Sequence, residues 1–165
     1  VVYGHDGFAG ELGHVAAVRN NGRTCGCGKT GCLETYASAT GVARTAREWL
    51  ELSDEPSVLR SLDSIASKDV YEAAKDGDKL ALRIFEFTGK ILGRSFADFI
   101  AFSSPEAIVL FGGLARAKEF RTEPIEKAMN ENVLPLWRGK VKLIYSQLKE
   151  SDAAILGASA LAWEL

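Results

Sequence analysis

Three cysteines near the start of the chain have the residue types and the spacing of a metal site. Cys25, Cys27 and Cys32 alternate with glycines in the segment TCGCGKTGCLE, and the glycines allow the backbone to turn tightly around an ion. Zinc prefers four nitrogen or sulfur ligands in a tetrahedron, and three thiolates with one imidazole form a closed, structural set. The pattern therefore predicts a structural zinc ion that takes no part in chemistry.

Two histidines, His5 and His14, are available as the fourth ligand. Spacing alone leaves both open but favours His14, which is nearer to the cysteines and follows the flexible Gly13. Two other interpretations of the cysteines are small buried residues and a redox-active cluster. An odd number in so short a segment is a poor disulfide framework, and metal binding in a reducing cytoplasm explains it better.

Size and composition indicate a globular domain. The chain has 165 residues, of which 47% are hydrophobic and 25% charged, and its net charge is −2. These values predict a single domain with a real core, and they give no reason to expect a nucleic-acid or membrane surface. Val1–Tyr3 has the pattern of a strand already under way, so we expect a further part of the protein to precede it.

The order of elements predicts an α/β fold. The first 35 residues should form short strands and tight turns, with a strand at His14–Val18 before the turn at Asn20–Gly22. Apolar spacing predicts a helix from near Tyr36 to about Ser53. Further predicted helices cover 67–75 with Ser67 as N-cap, 79–102, 122–134, and a buried C-terminal helix capped by Asp152. Strands are predicted at 107–111, covered on both faces, and at 140–146, nearer a sheet edge.

Two segments together closely resemble the signature of the ROK family (repressors, open reading frames, kinases). They are Ala9–His14, AGELGH, and Cys25–Glu34, CGCGKTGCLE. The resemblance is densest over residues 4–40 and continues weakly through the Gly112–Gly113 turn and the C-terminal helix. It implies the C-terminal lobe of a two-lobed, actin-like (ribonuclease H-like) ATPase fold with a zinc-stabilised loop insertion, spanning 1–165 as one domain whose N-terminal lobe is absent.

The resemblance also implies the site residues. It makes His14, Cys25, Cys27 and Cys32 the zinc ligands and gives Glu11, His14 and Glu34 to the sugar pocket. A histidine that binds zinc through one ring nitrogen keeps the other as a fixed N–H donor for a sugar hydroxyl, and the two carboxylates accept from neighbouring hydroxyls. Without the motif, a favourable interaction with a helix dipole would be the better explanation of Glu34.

A Gly112–Gly113 turn after a buried strand resembles the family's adenosine-binding turn. Glycine lets a nucleotide approach the backbone closely, although such turns are common in α/β proteins. The family often has a further glycine where this chain has Leu114. No aspartate matches the family's catalytic base, which would lie upstream of Val1, so no catalytic residue is assigned here. Asp6 is interpreted as a surface-loop residue.

The function implied is half of an ATP-dependent hexose kinase, glucokinase-like, that phosphorylates the sugar 6-hydroxyl with Mg²⁺ and binds glucose. On its own the segment should be inactive. The alternative is the ligand-binding lobe of a sugar-responsive repressor, which would bind DNA through an upstream helix-turn-helix. A third interpretation is a zinc-stabilised binding or dimerisation module. We further expect a cytoplasmic homodimer without a membrane segment.

Overall fold

The computed structural model describes residue 2 and residues 4–163, with only the backbone described at 114–116 and 150. Val1 and Tyr3 of the predicted opening strand lie outside the described residues, and so does the side chain of Leu114. Two short strands lie among helices, so the α/β prediction is confirmed.

Six α-helices account for most of the described chain. They are α1 Glu34–Ala37, α2 Ala39–Leu52, α3 Ser67–Lys75, α4 Lys79–Ser103, α5 Lys118–Asn132 and α6 Glu150–Trp163. Short 3₁₀ helices cover Leu12–His14, Val58–Ser61, Gly112–Ala117 and Pro135–Trp137. Among the described residues, no helix combines the length and apolarity needed to cross a lipid bilayer.

Side-chain caps explain where the predicted helices begin. Ser38 Oγ accepts the N–H of Gly41 at 3.1 Å at the start of α2, and Asp78 Oδ1 accepts the N–H of Ala81 at 3.0 Å at the start of α4. Each cap satisfies a backbone donor that the first turn of a helix leaves free. The predicted N-cap at Ser67 is wrong, because Ser67 is already the first residue of α3.

The strands β1, Ala107–Leu110, and β2, Lys142–Tyr145, pair in parallel. Ala107 is opposite Lys142, and Leu110 is opposite Tyr145. The prediction that β1 is covered on both faces is wrong for the described chain, since the side chain of Val109 is 60% exposed. β2 is at a sheet edge, as predicted.

Helix α4 joins two apolar clusters. One cluster packs α4 against α1, α5 and β1 and includes Ile100, Leu110 and Ile125. The other packs α4 against α2 and α3 and includes Val42 and Ile84. Because α4 belongs to both clusters, it connects α2 and α3 to α1, α5 and β1. Val15, Ala17 and Val18, which precede α1, pack against the first cluster.

Further sequence predictions need correction in three segments. His14–Val18 is not a strand, because His14 ends a 3₁₀ turn and only Ala16 forms a bridge, with Cys32. Helix α5 begins at Lys118 rather than at 122. Helix α6 begins at Glu150, so Asp152 is not its cap, and its apolar residues are exposed rather than buried, with Ile155 72% exposed.

Candidate metal site and neighbouring carboxylates

The four side chains that the sequence nominated as metal ligands converge in the structure. The ligand atoms of His14, Cys25, Cys27 and Cys32 all lie within 4.8 Å of one another. His5, the competing histidine, is not in this cluster; its side chain is almost fully exposed beside Asp6. Of the two candidate histidines, the structure therefore brings His14 to the cysteines and leaves His5 apart from them.

The distances within the cluster suit one tetrahedral ion. Metal–ligand bonds of about 2.3 Å give a tetrahedron with edges of about 3.8 Å. Sγ of Cys25 lies 3.6 Å from Nδ1 of His14, and Sγ of Cys27 lies 3.6 Å from Sγ of Cys32. All three cysteines are free. Three sulfurs and one imidazole nitrogen fit the preferences of zinc, and four protein ligands leave no open position for substrate.

Backbone pairing brings the two ends of this loop together. The N–H of Val18 donates to the carbonyl of Gly31 at 3.1 Å, and Ala16 bridges Cys32 in the antiparallel sense. Gly31 has φ +77°, and a Cβ there would lie 1.8 Å from the carbonyl oxygen of Val18. Only glycine permits this approach, which places Cys32 beside the segment that carries His14.

A tight turn presents the other two cysteines. The N–H of Gly28 donates to the carbonyl of Cys25 at 3.1 Å, and the N–H of Cys25 donates to the carbonyl of Lys29 at 2.9 Å. Lys29 Nζ also donates to the carbonyl of His14 at 2.8 Å. The turn and the lysine together hold Cys25 and Cys27 toward His14.

The cysteine thiols differ in acidity. The backbone N–H of Cys27 lowers the pKa of Cys25, but burial and hydrogen bonds with Cys27, Cys32 and Glu34 outweigh it and raise that pKa to about 11. A backbone hydrogen bond from Lys29 is the main cause that lowers the pKa of Cys27 to about 7. A cation bound here would replace the proton that Cys25 holds at neutral pH.

Two carboxylates flank the cluster on its solvent-exposed side. Glu11 Oε2 lies 3.9 Å from Nε2 of His14, the ring nitrogen that does not face Cys25. Glu34 is the first residue of α1, and its Oε1 accepts a hydrogen bond from the thiol of Cys25 at 3.4 Å. Both glutamates are exposed. The structure thus brings Glu11 to His14 and Glu34 to Cys25, so that both carboxylates lie beside the metal cluster.

A buried arginine fixes the loop to α2, a contact that the sequence did not reveal. Arg23 donates through Nε and Nη2 to Oε2 of Glu48, at 3.1 and 2.5 Å. Its guanidinium also donates to Oγ1 of Thr45 at 2.9 Å and to the carbonyl of Thr35 at 2.8 Å. Because a lone arginine among cysteines carries no periodic or motif signal, sequence reasoning had no means of finding it.

The Gly112–Gly113 turn lies at a different place, a cavity of about 490 Å³. Gly112 follows β1 and has φ +81°. Gly113 lines the cavity, and none of the lining residues belongs to the metal cluster. Arg121 on α5 also lines it, and this residue too went unnoticed because α5 has no clear apolar stripe that would mark its buried face.

A model of the ROK family matches residues 1–164. A glucokinase of Thermotoga maritima is 36% identical over 161 residues, covering 96% of this chain and 50% of that protein. The Escherichia coli K12 DNA-binding transcriptional dual regulator NagC is 32% identical, covering 98% of this chain and 38% of its own.

Solved structures that resemble this chain belong to the same family as these relatives. A ROK family glucokinase from Streptomyces griseus, solved in complex with glucose and AMPPNP, matches with a TM-score of 0.82 and 30% identity. The match covers 97% of this chain and 53% of that one. The chain thus spans about half the length or less of the relatives it matches. A family match over nearly every residue, together with relatives of both kinds, shows that the chain belongs to the ROK family.

Proposed function

We propose that the chain is the sugar-recognising C-terminal lobe of an ATP-dependent hexose kinase of the glucokinase type. The observation that carries this proposal is the position of His14, whose Nδ1 faces the cysteines while its Nε2 faces Glu11. One imidazole can therefore contact a metal and a ligand at once. The glucokinase relatives, one of them solved with glucose, support glucose as the sugar.

The polar groups of Glu11, His14 and Glu34 suit a polyhydroxylated ligand. Nε2 of His14 would donate to one hydroxyl, while Glu11 and Glu34 would accept from its neighbours. Hydrogen bonds to ionised carboxylates are about twice as strong as neutral ones and select geometry. Three groups that surround a ring in this way would bind and orient the sugar.

We propose that His14, Cys25, Cys27 and Cys32 hold a structural Zn²⁺. Two edges of the ligand tetrahedron already have a length that suits the ion. The ion would cross-link the loop and fix the imidazole orientation that sugar binding needs. Thiolate ligands require reduced cysteines, which is consistent with a cytoplasmic location.

For the nucleotide, we propose contact at Gly112 and Gly113. Gly113 lines the 490 Å³ cavity, whose volume lies within the range of small-molecule sites. Gly112 has a positive φ that L side chains rarely adopt. We propose that ATP, with its Mg²⁺, binds there.

The base that deprotonates the sugar 6-hydroxyl is proposed to lie in the N-terminal lobe, outside residues 1–165. Asp6, which the sequence analysis assigned to a surface loop, lies in an exposed bend beside His5. Phosphoryl transfer depends on positioning by both lobes, so residues 1–165 alone should not phosphorylate sugar. A homodimer stays a prediction.

The alternative is the ligand-binding lobe of a sugar-responsive repressor. It is supported by NagC, which is 32% identical over nearly the whole chain. The sugar site would be the same, and the difference would lie elsewhere in the protein. A helix-turn-helix would identify the repressor, whereas an Asn-Asp pair without one would identify the kinase.

Calorimetric titration tests the shared sugar site. Glucose should bind the metal-loaded protein, and Glu11→Gln and Glu34→Gln should each weaken binding about 10- to 100-fold, the value of a hydrogen bond to a charged group. Glu51→Gln, an exposed change on α2, is the matched control and should leave affinity within about twofold.

The same titration with N-acetylglucosamine, mannose and fructose separates the interpretations. If one of these sugars binds in place of glucose, and both glutamate variants lose affinity for it to the same extent, the site would be supported and that sugar would replace glucose as its ligand. No binding of any of the four by metal-loaded protein would contradict a sugar role and favour a zinc-stabilised module.

A further inference from the structure

The cavity beside Gly113 has mostly apolar walls and one buried cation. Ala39 and Val42 of α2, Phe85 of α4 and Arg121 of α5 form part of the lining. A flat, weakly polar group would pack against such walls, and a single guanidinium would fix its orientation.

Arg121 is buried but poorly satisfied. Its residue surface is 2% exposed, and its Nε has no hydrogen-bond partner. Nη2 reaches the carbonyl of Ala37 only at 3.4 Å, and no described carboxylate forms an ion pair with the guanidinium. Cζ lies 5.5 Å from the ring centroid of Phe85, a contact that satisfies no N–H donor. Burial lowers the pKa of Arg121 to about 10.

Arg23 shows what a purely structural buried arginine looks like in this chain. Its exposed fraction is 8%, and Nε, Nη1 and Nη2 all donate at hydrogen-bond distance. A buried donor left without an acceptor destabilises the fold, so such donors are rare in folded proteins. The difference between Arg23 and Arg121 points to an acceptor missing from the cavity.

We infer that Arg121 recognises the base of a purine nucleotide in this cavity, with the orphan Nε or a neighbouring N–H donating to a ring acceptor. The inference rests on the proposed nucleotide role of Gly112 and Gly113 and adds a specificity-determining residue to it. Arginine has only donors, and purine bases present acceptor nitrogens at their edges. Phe85 and Val42 would pack against the base, and the phosphates would extend out of the cavity past Gly113 and the exposed Lys68 at its rim.

Binding of adenosine, ATP and inorganic triphosphate to Arg121→Met tests the inference. Adenosine and ATP should each bind at least tenfold more weakly to this variant than to the wild type, and by the same factor, because both carry the base. Triphosphate binding should not change. Metal content should stay the same, and the melting temperature should not fall, since an unpaired buried charge has been removed. Arg94→Met, an exposed arginine on α4, is the matched control and should stay within twofold.

Arg121→Lys keeps the charge and replaces a planar donor array with a point charge, so it tests the inference even if the methionine variant folds poorly. It should also weaken adenosine binding at least fivefold. Adenosine binding unchanged in both variants would overturn the inference, and so would a loss confined to ATP and triphosphate, which would assign Arg121 to phosphate. Failure of the wild type to bind adenosine or ATP would overturn it too. Failure of the sugar proposal would appear separately, in the glucose titration.

Discussion

The buried Arg23 and the half-buried Glu48 form an ion pair that joins the cysteine loop to helix α2, with Nη2 of Arg23 2.5 Å from Oε2 of Glu48. Arg44 donates to the other carboxylate oxygen of Glu48 at 2.7 Å. The loop therefore has two attachments, this ion pair and the metal cluster. Losing either should loosen the side chains that we propose bind sugar.

Glu48→Gln should lower the free energy of unfolding by about 1 to 2 kcal/mol. The change weakens charge-assisted hydrogen bonds to the buried Arg23. Their contribution to stability is modest because Glu48 is 37% exposed and solvent screens its charge. Urea unfolding measures it. Glu86→Gln, which removes the exposed Lys90 ion pair, should change stability by no more than about 0.5 kcal/mol. Equal effects of the two variants would show that Glu48 has no special role.

The contribution of Glu48 should also depend on pH. Burial alone would raise the pKa of Glu48, but hydrogen bonds from Arg44 and Arg23 outweigh it and lower that pKa below the ordinary value of 4.5. A folded-state pKa below the unfolded one stabilises the fold above pH 4.5, and this stabilisation is lost as pH falls through the folded pKa.

Urea unfolding of wild type and Glu48→Gln across pH should show this titration. The difference in unfolding free energy should be constant from neutral pH down to about pH 5 and then shrink. Metal loss in acid affects both proteins and cancels in the difference. A difference that grows as pH falls would contradict the assigned direction.

Gly31→Ala should disrupt the loop far more than Gly28→Ala. Both glycines have positive φ, but a Cβ at Gly31 would lie 1.8 Å from the carbonyl oxygen of Val18, whereas a Cβ at Gly28 would meet nothing within 4 Å. Gly28→Ala should therefore cost only the conformational strain, about 1 to 2 kcal/mol. Gly31→Ala should cost more than about 3 kcal/mol, since backbone must move. Thermal unfolding compares them, and equal losses would disprove the close approach.

Metal binding should release protons and strengthen as pH rises. The pKa of Cys25 is raised to about 11, so its thiol is protonated at neutral pH and must lose that proton to bind a cation. Calorimetry in two buffers of different ionisation enthalpy should report release of at least about one proton per metal at pH 7. A binding enthalpy that does not vary with the buffer would count against thiolate ligation.

The sequence revealed the parts of the fold that local chemistry controls. The convergence of three cysteines within a glycine-rich segment could be predicted because their type and spacing match a metal site. Helices α2 and α4 were predictable because each combines an apolar stripe with a capping residue, Ser38 or Asp78. Spacing favoured His14 but could not exclude His5, since either imidazole could have reached the loop.

What the sequence could not reveal depends on contacts distant along the chain. Apolar residues such as Ile155 predict burial of α6, but nothing in their pattern tells whether another element covers them. The apolar run Val15–Val18 after His14 favours a strand, yet a 3₁₀ turn ends at His14 and only Ala16 of this segment forms a bridge. Arg121 is buried through its contacts with Ala37 and Phe85, which no local pattern encodes.

The zinc content of the purified protein tests the central claim most directly, measured by mass spectrometry beside the reactivity of its thiols. We predict about one zinc per chain in the wild type and in His5→Asn, a large loss in His14→Asn, and a lower melting temperature after the metal is stripped. Protein that holds no zinc and has three freely reactive thiols, or that melts unchanged after verified metal removal, would contradict the account.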